Sequence, residues 1–168
     1  MARVLVDSSV ILDIVTDDPV WGEWSMDTLA RCAKTGTLVI NPIIYAEVSV
    51  GFTRIEEVEE ALPSDYFERA ALPWEAAFLA GKCFLRYRRR GGRKHSPLPD
   101  FYIGAHAAVS GFSLATRDPR RYRGYFPTVG CCHPDDAGHR RERVNSGRHS
   151  LLRPRGLTTN TCSLFGTR

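Results

Sequence analysis

Four carboxylates stand in settings that call for an explanation. Asp7 follows the apolar run Val4-Leu5-Val6 and precedes Ser8-Ser9. Glu47 lies among Ile43, Ile44, Ala46, Val48 and Val50, where an unpaired charge would be costly. Asp100 follows Leu98-Pro99, and Asp118 follows Leu114-Ala115-Thr116-Arg117. Brought together, such groups would repel one another and raise their own pKa values unless a cation neutralised them. Oxygen donors without His or Cys suit a hard ion, Mg²⁺ or Mn²⁺. Such an ion generates hydroxide from bound water and stabilises charge on a phosphoryl oxygen, which is the chemistry of phosphodiester hydrolysis. Taken singly, each acid also has a structural reading: Asp7 as a helix cap, Asp100 as a charge favoured by a helix dipole, Asp118 as a turn residue before Pro119.

The elements that must position these acids follow from the pattern. Arg3 to Val6 has no polar alternation and fits a strand buried on both faces, with Ser8 or Ser9 capping a helix to Thr16. Trp21 to Lys34 carries a helical stripe stopped at Thr35-Gly36, and Leu38 to Ile40 is a second strand. Pro42 opens a helix that bears Glu47. Arg54 to Leu62 is an acidic amphipathic helix, and a long helix from Trp74 ends in the basic run Arg86 to Arg90 before Gly91-Gly92. Pro99 to Gly111 is a helix rich in small residues, with Asp100 at its start. Phe112 to Ala115 is a strand, a helical turn runs through Tyr122, and Tyr125 to Val129 is the last strand. Alternating strands and helices imply an α/β fold with a parallel sheet. All four acids then face the carboxyl edge of that sheet, where open sheets place their ligands.

The chain has 168 residues, enough for one well-buried domain and short for two. Its charge of +4 is unevenly spread: to Val129 the sequence holds sixteen basic and sixteen acidic residues, and the remainder carries the whole excess. The body is therefore neutral, and the net charge says little about what it binds. No secretory leader or membrane span is read. Five cysteines without framework spacing suit a reducing, cytoplasmic setting. From Gly130 onward the composition turns to Arg, Gly, Ser, Thr and Pro without apolar period, and reads as a disordered extension.

Val6-Asp7-Ser8-Ser9, Tyr45-Ala46-Glu47, Leu98-Pro99-Asp100-Phe101-Tyr102-Ile103-Gly104-Ala105-His106-Ala107 and Leu114-Ala115-Thr116-Arg117-Asp118-Pro119-Arg120-Arg121-Tyr122 together resemble the PIN domain, in particular VapC toxins of bacterial toxin–antitoxin pairs. The resemblance covers residues 2 to about 129. It implies a PIN-like three-layer α/β/α sandwich, an Mg²⁺-dependent endoribonuclease (Mn²⁺ also serving), a homodimer and a cognate antitoxin. Asp7 and Asp100 match the firmest metal ligands, Glu47 and Asp118 complete the acidic site, and Ser9 and Thr116 support it. Arg120, Arg121 and Arg123 are then placed to hold RNA near the metal. Domains are expected at 1–129, the PIN domain, and 130–168, a basic extension that members of the family lack and that reads as a frame-shift or read-through product.

Two other functions compete. A haloacid-dehalogenase-type phosphatase would use Asp7 as nucleophile, but it expects a second Asp where Ser9 stands and a downstream Lys motif. A non-catalytic PIN-like module, disabled by its altered C-terminus, would fold without binding the metal. Among lesser signals, Arg86 to Lys94 with Tyr87 suits phosphate contact or a solvated helix end. Cys131-Cys132-His133 with His139 matches no zinc spacing. His106, Cys32 and Cys83 read as packed residues, Tyr122 as packing, and Trp21 and Trp24 as candidates for dimer contacts.

Overall fold

The computed structural model describes residues 2–133. Strands β1 (Ala2–Val6), β2 (Gly36–Ile40), β3 (Phe67–Arg69), β4 (Ser113–Ala115) and β5 (Cys131–Cys132) form one sheet in the order β3-β2-β1-β4-β5. Every pairing is parallel: Val4 stands between Leu38 and Ser113, and Val6 lies against Ala115. Parallel neighbours need crossovers. Helices α1 (Ser8–Val15) and α2 (Gly22–Thr35) join β1 to β2, and α3 (Pro42–Ser49) and α4 (Ile55–Ala61) join β2 to β3. Helices α5 (Trp74–Arg89) and α6 (Pro99–Ser110) carry the chain back across to β4, and α7 (Arg120–Arg123) leads to β5. Crossovers of one hand, running outward from β1 and then back past it, put helices on opposite faces. The result is the expected three-layer α/β/α sandwich.

The central strands are buried on both faces, which is why they read as unbroken apolar runs. Leu5, Val6, Val39, Leu114 and Ala115 are fully buried, and Ile40 nearly so. Each Leu or Ile buried this way contributes about 1.5–3 kcal/mol. Helix α3 starts where Asn41 accepts from the backbone N–H groups of Ile43 and Ile44, both at 3.0 Å, with Pro42 in the first turn. Helix α6 stops at Gly111, whose φ of 66° suits glycine.

Three expectations are corrected. Neither Ser8 nor Ser9 caps α1: Asp7 holds the N-cap position and both serines lie inside the helix. Strand β3 was not foreseen, because its three residues include only one buried side chain, Phe67. The last strand is not Tyr125 to Val129 but Cys131–Cys132, beyond the boundary drawn at Val129. The N–H groups of Tyr125 and Phe126 turn back to the Tyr122 carbonyl at 3.0 and 2.8 Å, and Pro127 has none to give. The aromatic pair packs on α6 instead, with Tyr125 edge-on to Phe101 at 4.9 Å. The extension read at 130–168 falls, from residue 134 onward, outside the described residues, as does His139. Among the described residues no helix is long and apolar enough to cross a membrane.

Candidate active site

Strands β1 and β4 are neighbours whose outgoing connections diverge, so a crevice opens at their carboxyl ends. Asp7 sits there, 6% exposed, its N–H donating to the Ala115 carbonyl at 2.9 Å. Although it occupies the N-cap position of α1, its carboxylate makes no capping bond. Instead Oδ2 accepts from Ser9 Oγ and from Thr116 Oγ1, both at 2.8 Å. Thr116 is fully buried just past β4, and its N–H is tied to the Cys132 carbonyl at 3.1 Å. The cap reading of Asp7 is therefore set aside by its own hydrogen bonds.

Glu47 reaches the same crevice from α3, where its Oε2 accepts from Ser8 Oγ at 2.8 Å. Burial holds its carboxyl above the usual range, against the Ser8 hydrogen bond, and the charges of Asp7 and Asp100 push it further. Asp100 lies in the first turn of α6, at the positive end of the helix dipole. Its carboxyl is likewise raised by burial, opposed by Arg121 and reinforced by Asp7 and Asp118. Asp7, Glu47 and Asp100 thus act on one another electrostatically from three different elements.

Asp118 stands at the rim, with its side chain 48% exposed. Its Oδ1 accepts from the Arg120 N–H at 3.2 Å, as a turn residue would, and its own N–H donates to Thr116 Oγ1 at 3.2 Å. Arg121 bridges the acids, with Nε 3.3 Å from Asp118 Oδ2 and Nη1 3.5 Å from Asp100 Oδ2. The arginines expected to hold RNA are therefore not equivalent. Arg121 is engaged inside the acidic site, Arg123 meets the buried His133, and Arg120 is exposed with no side-chain ion pair among the described residues.

The sequence reading missed Asp13, Arg117 and Ser25 of this neighbourhood. Arg117 Nη1 pairs with Asp13 Oδ1 at 2.6 Å, and Ser25 Oγ donates to Asp13 Oδ2 at 2.8 Å. This buried acid of α1 thereby clamps the 116–118 loop to α1 and α2. Burial raises the Asp13 carboxyl, with Ser25 and Arg117 opposing. Asp13 could have been suspected from its place inside the apolar run Val10 to Val15, as Glu47 was. Tyr122, read as packing, buries its hydroxyl beside the acids.

The remaining signals have structural explanations. Tyr87 stacks on Phe84, and its hydroxyl accepts from the N–H groups of Arg93 and Lys94 at 3.1 and 3.4 Å. His106 is buried, with Nδ1 facing Asn41 Nδ2 at 3.1 Å. Cys32 and Cys83 are buried. Cys131 Sγ lies 3.7 Å from the Val129 carbonyl. Trp21 and Trp24 meet edge-on at 6.2 Å and are half-buried, whereas Trp74, Phe78 and Leu85 are the exposed apolar residues of α5.

The donor chemistry fits a hard divalent cation. All the converging donors are carboxylate oxygens, two of them destabilised by burial and by each other's charge. As the side chains lie, no group of three or more His, Cys, Asp or Glu among the described residues stands ready to hold a metal. Arg121 supplies the opposing positive charge.

The PIN domain family matches this chain over residues 4–126. VapBC2 from Rickettsia felis bound to a promoter DNA fragment is similar in structure, with 17% identity, a TM-score of 0.61, and cover of 78% of this chain and 98% of that one. DNA-bound VapBC from Salmonella typhimurium is similar at 17% identity and TM-score 0.59, over 79% and 98% of the two chains. FitAcB from Neisseria gonorrhoeae is similar at 19% identity and TM-score 0.55, over 76% and 95%. At such identities the likeness is one of fold. No curated protein matches the sequence.

Proposed function

The chain belongs to the PIN domain family, a family of nucleases, and from that premise we propose that it is a metal-dependent endoribonuclease, the toxin of a toxin–antitoxin pair. One observation carries the reading: Asp7, Glu47 and Asp100 converge on the crevice, burial raises the carboxyls of Glu47 and Asp100, and among the described residues Arg121 is the base that opposes them. A structural ion-pair network would match acids with bases, whereas this site leaves an excess of negative charge for a cation to neutralise.

Asp7, Glu47 and Asp100 would hold the ion, with Asp118 at the rim. Mg²⁺ or Mn²⁺ bound there supplies a water of lowered pKa and charge stabilisation at the phosphoryl oxygen. The chain's own contribution is orientation. Ser9 and Thr116 fix the Asp7 carboxylate through one oxygen, and Ser8 fixes Glu47. Burial of Asp7 and Thr116 restricts water behind the carboxylates. Arg120 is the exposed cation best placed to meet an RNA phosphate, and Arg121, beside Asp100 and Asp118, would share those carboxylates with a bound ion. The similar structures are VapBC complexes and FitAcB, which supports a cognate antitoxin. A homodimer is part of the same proposal, and Trp74, Phe78 and Leu85 on α5 are apolar surface for either partner to cover.

The test is cleavage of total cellular RNA by the full chain with Mg²⁺, with EDTA, and as Asp7→Asn. Discrete cuts that require the metal and fall at least about 100-fold in the variant are expected, as for loss of a group that both binds and orients. Cleavage that survives EDTA would overturn the metal-dependent reading. A folded chain that binds Mn²⁺ neither as wild type nor at raised concentration would favour a non-catalytic module.

A further inference from the structure

Tyr122 heads the fully buried side chains by volume, yet it lies between the exposed residues Arg121 and Arg123. Its ring rests on α6 at Gly104. A Cβ added there would come within 2.3 Å of the Phe126 ring and 3.0 Å of Tyr122 Cδ1. Glycine is unfavourable inside a helix, and here it leaves the room that the two rings occupy. Gly104 follows Asp100 by one turn, so the ring is seated beneath that acid. Phe126 fills most of that room, and the Tyr122 ring lies against its edge, on the side of the carboxylates.

The Tyr122 hydroxyl closes no hydrogen bond of normal geometry and is shut away from solvent. Asp7 lies within reach of it, and Asp100 and Glu47 are the other charged groups that face it. A phenylalanine would bury the same ring without a stranded donor, and the chain uses one four residues later at Phe126. An unsatisfied buried hydroxyl is a cost that a purely packing role does not explain. The hydroxyls already on Asp7, from Ser9 and Thr116, both bond the single oxygen Oδ2.

We infer that Tyr122 is a positioning residue of the acidic site: its buried hydroxyl, seated by Gly104, donates to the Asp7 carboxylate when that carboxylate holds a divalent cation. It acts through Asp7 and not on RNA, because no part of the residue reaches the surface. The inference rests on the metal-nuclease reading and adds a ligand-orienting donor to it.

The test compares the full chain as wild type, Tyr122→Phe and Asp7→Asn by calorimetric titration with Mn²⁺ and by thermal melting with and without it. Tyr122→Phe removes one oxygen and keeps the ring. The variant is expected to melt without metal at or above the wild-type temperature and to bind Mn²⁺ about tenfold more weakly, the usual cost of losing an outer hydrogen-bond partner. Near-ultraviolet circular dichroism should show a Mn²⁺-induced change in the wild type that this variant lacks. Unchanged Mn²⁺ affinity in Tyr122→Phe, with binding lost in Asp7→Asn, would overturn the inference and leave the nuclease reading standing. A wild type that binds no Mn²⁺ would remove both.

Discussion

Side chains of one chemical type do different work here according to what surrounds them. Asp7 and Asp118 both follow a strand, but Asp7 spends its carboxylate on two hydroxyls, whereas Asp118 spends part of its own on the Arg120 N–H. Glu47 and Asp100 hold protons to higher pH in the fold than in the unfolded chain. Their contribution to metal-free stability is therefore complete below the unfolded carboxylate values and is lost as pH rises through the raised ones. Glu47→Gln removes one such titration and one repelling charge. Without metal, the variant should melt above the wild type at neutral pH, and the difference should vanish as pH falls below the ordinary Glu value of 4.5. His106 titrates in the opposite sense. Burial, and after it the charge of Arg3, holds its imidazole below the usual value, so its contribution is lost as pH falls from the ordinary 6.5. That effect is common to both proteins and cancels in the comparison of melting curves.

At the scale of elements, the 116–118 loop is held from three sides. Thr116 is tied to β5 by its backbone and to Asp7 by its hydroxyl, while Arg117 grips Asp13 on α1. Asp13 is 4% exposed, so removing its partner strands a buried charge. Arg117 itself is 36% exposed, which lowers the cost below that of a fully buried pair. Arg117→Ala should destabilise the fold by about 1–3 kcal/mol in urea titration. Adding Asp13→Asn should recover much of the loss, because it removes the stranded charge. If Arg117→Ala alone left stability unchanged, the clamp would have no energetic meaning. RNA cleavage by the single variant should fall more than its stability explains, since the loop also carries Thr116 and Asp118.

For the whole molecule, the edge of the sheet matters to the site. Gly130, just before β5, and Cys132 within it supply the carbonyls that receive the Leu114 and Thr116 N–H groups at 2.8 and 3.1 Å. A chain ending at Val129 loses both and uncovers the edge of β4, and with it the anchor of the hydroxyl that holds Asp7. A chain ending at His133 keeps them, together with the Arg123–His133 contact. Thermal melting should find the shorter chain clearly less stable and the longer one close to the full chain. Equal melting of the two would show that β5 is dispensable.

The sequence by itself determined the central strands, the long helices and the acids worth attention. These rest on local causes: unbroken apolar runs, helical spacing in Trp74 to Leu85, proline and glycine at element ends, and a charge at Glu47 that its apolar neighbours made conspicuous. Only the tertiary structure decided the rest. β3 and β5 are too short to carry a period of their own and exist because Val39 and Leu114 offer them a ladder. Ser8 lies inside α1, behind the N-cap position of Asp7, and its hydroxyl donates to Glu47, thirty-nine positions away. Arg121 reaches Asp100, twenty-one positions away, while its side chain stays exposed, and Tyr122 packs with Phe126 over Gly104. Such contacts join residues distant in the chain. Their strength depends on burial and field, which no local stretch of sequence contains.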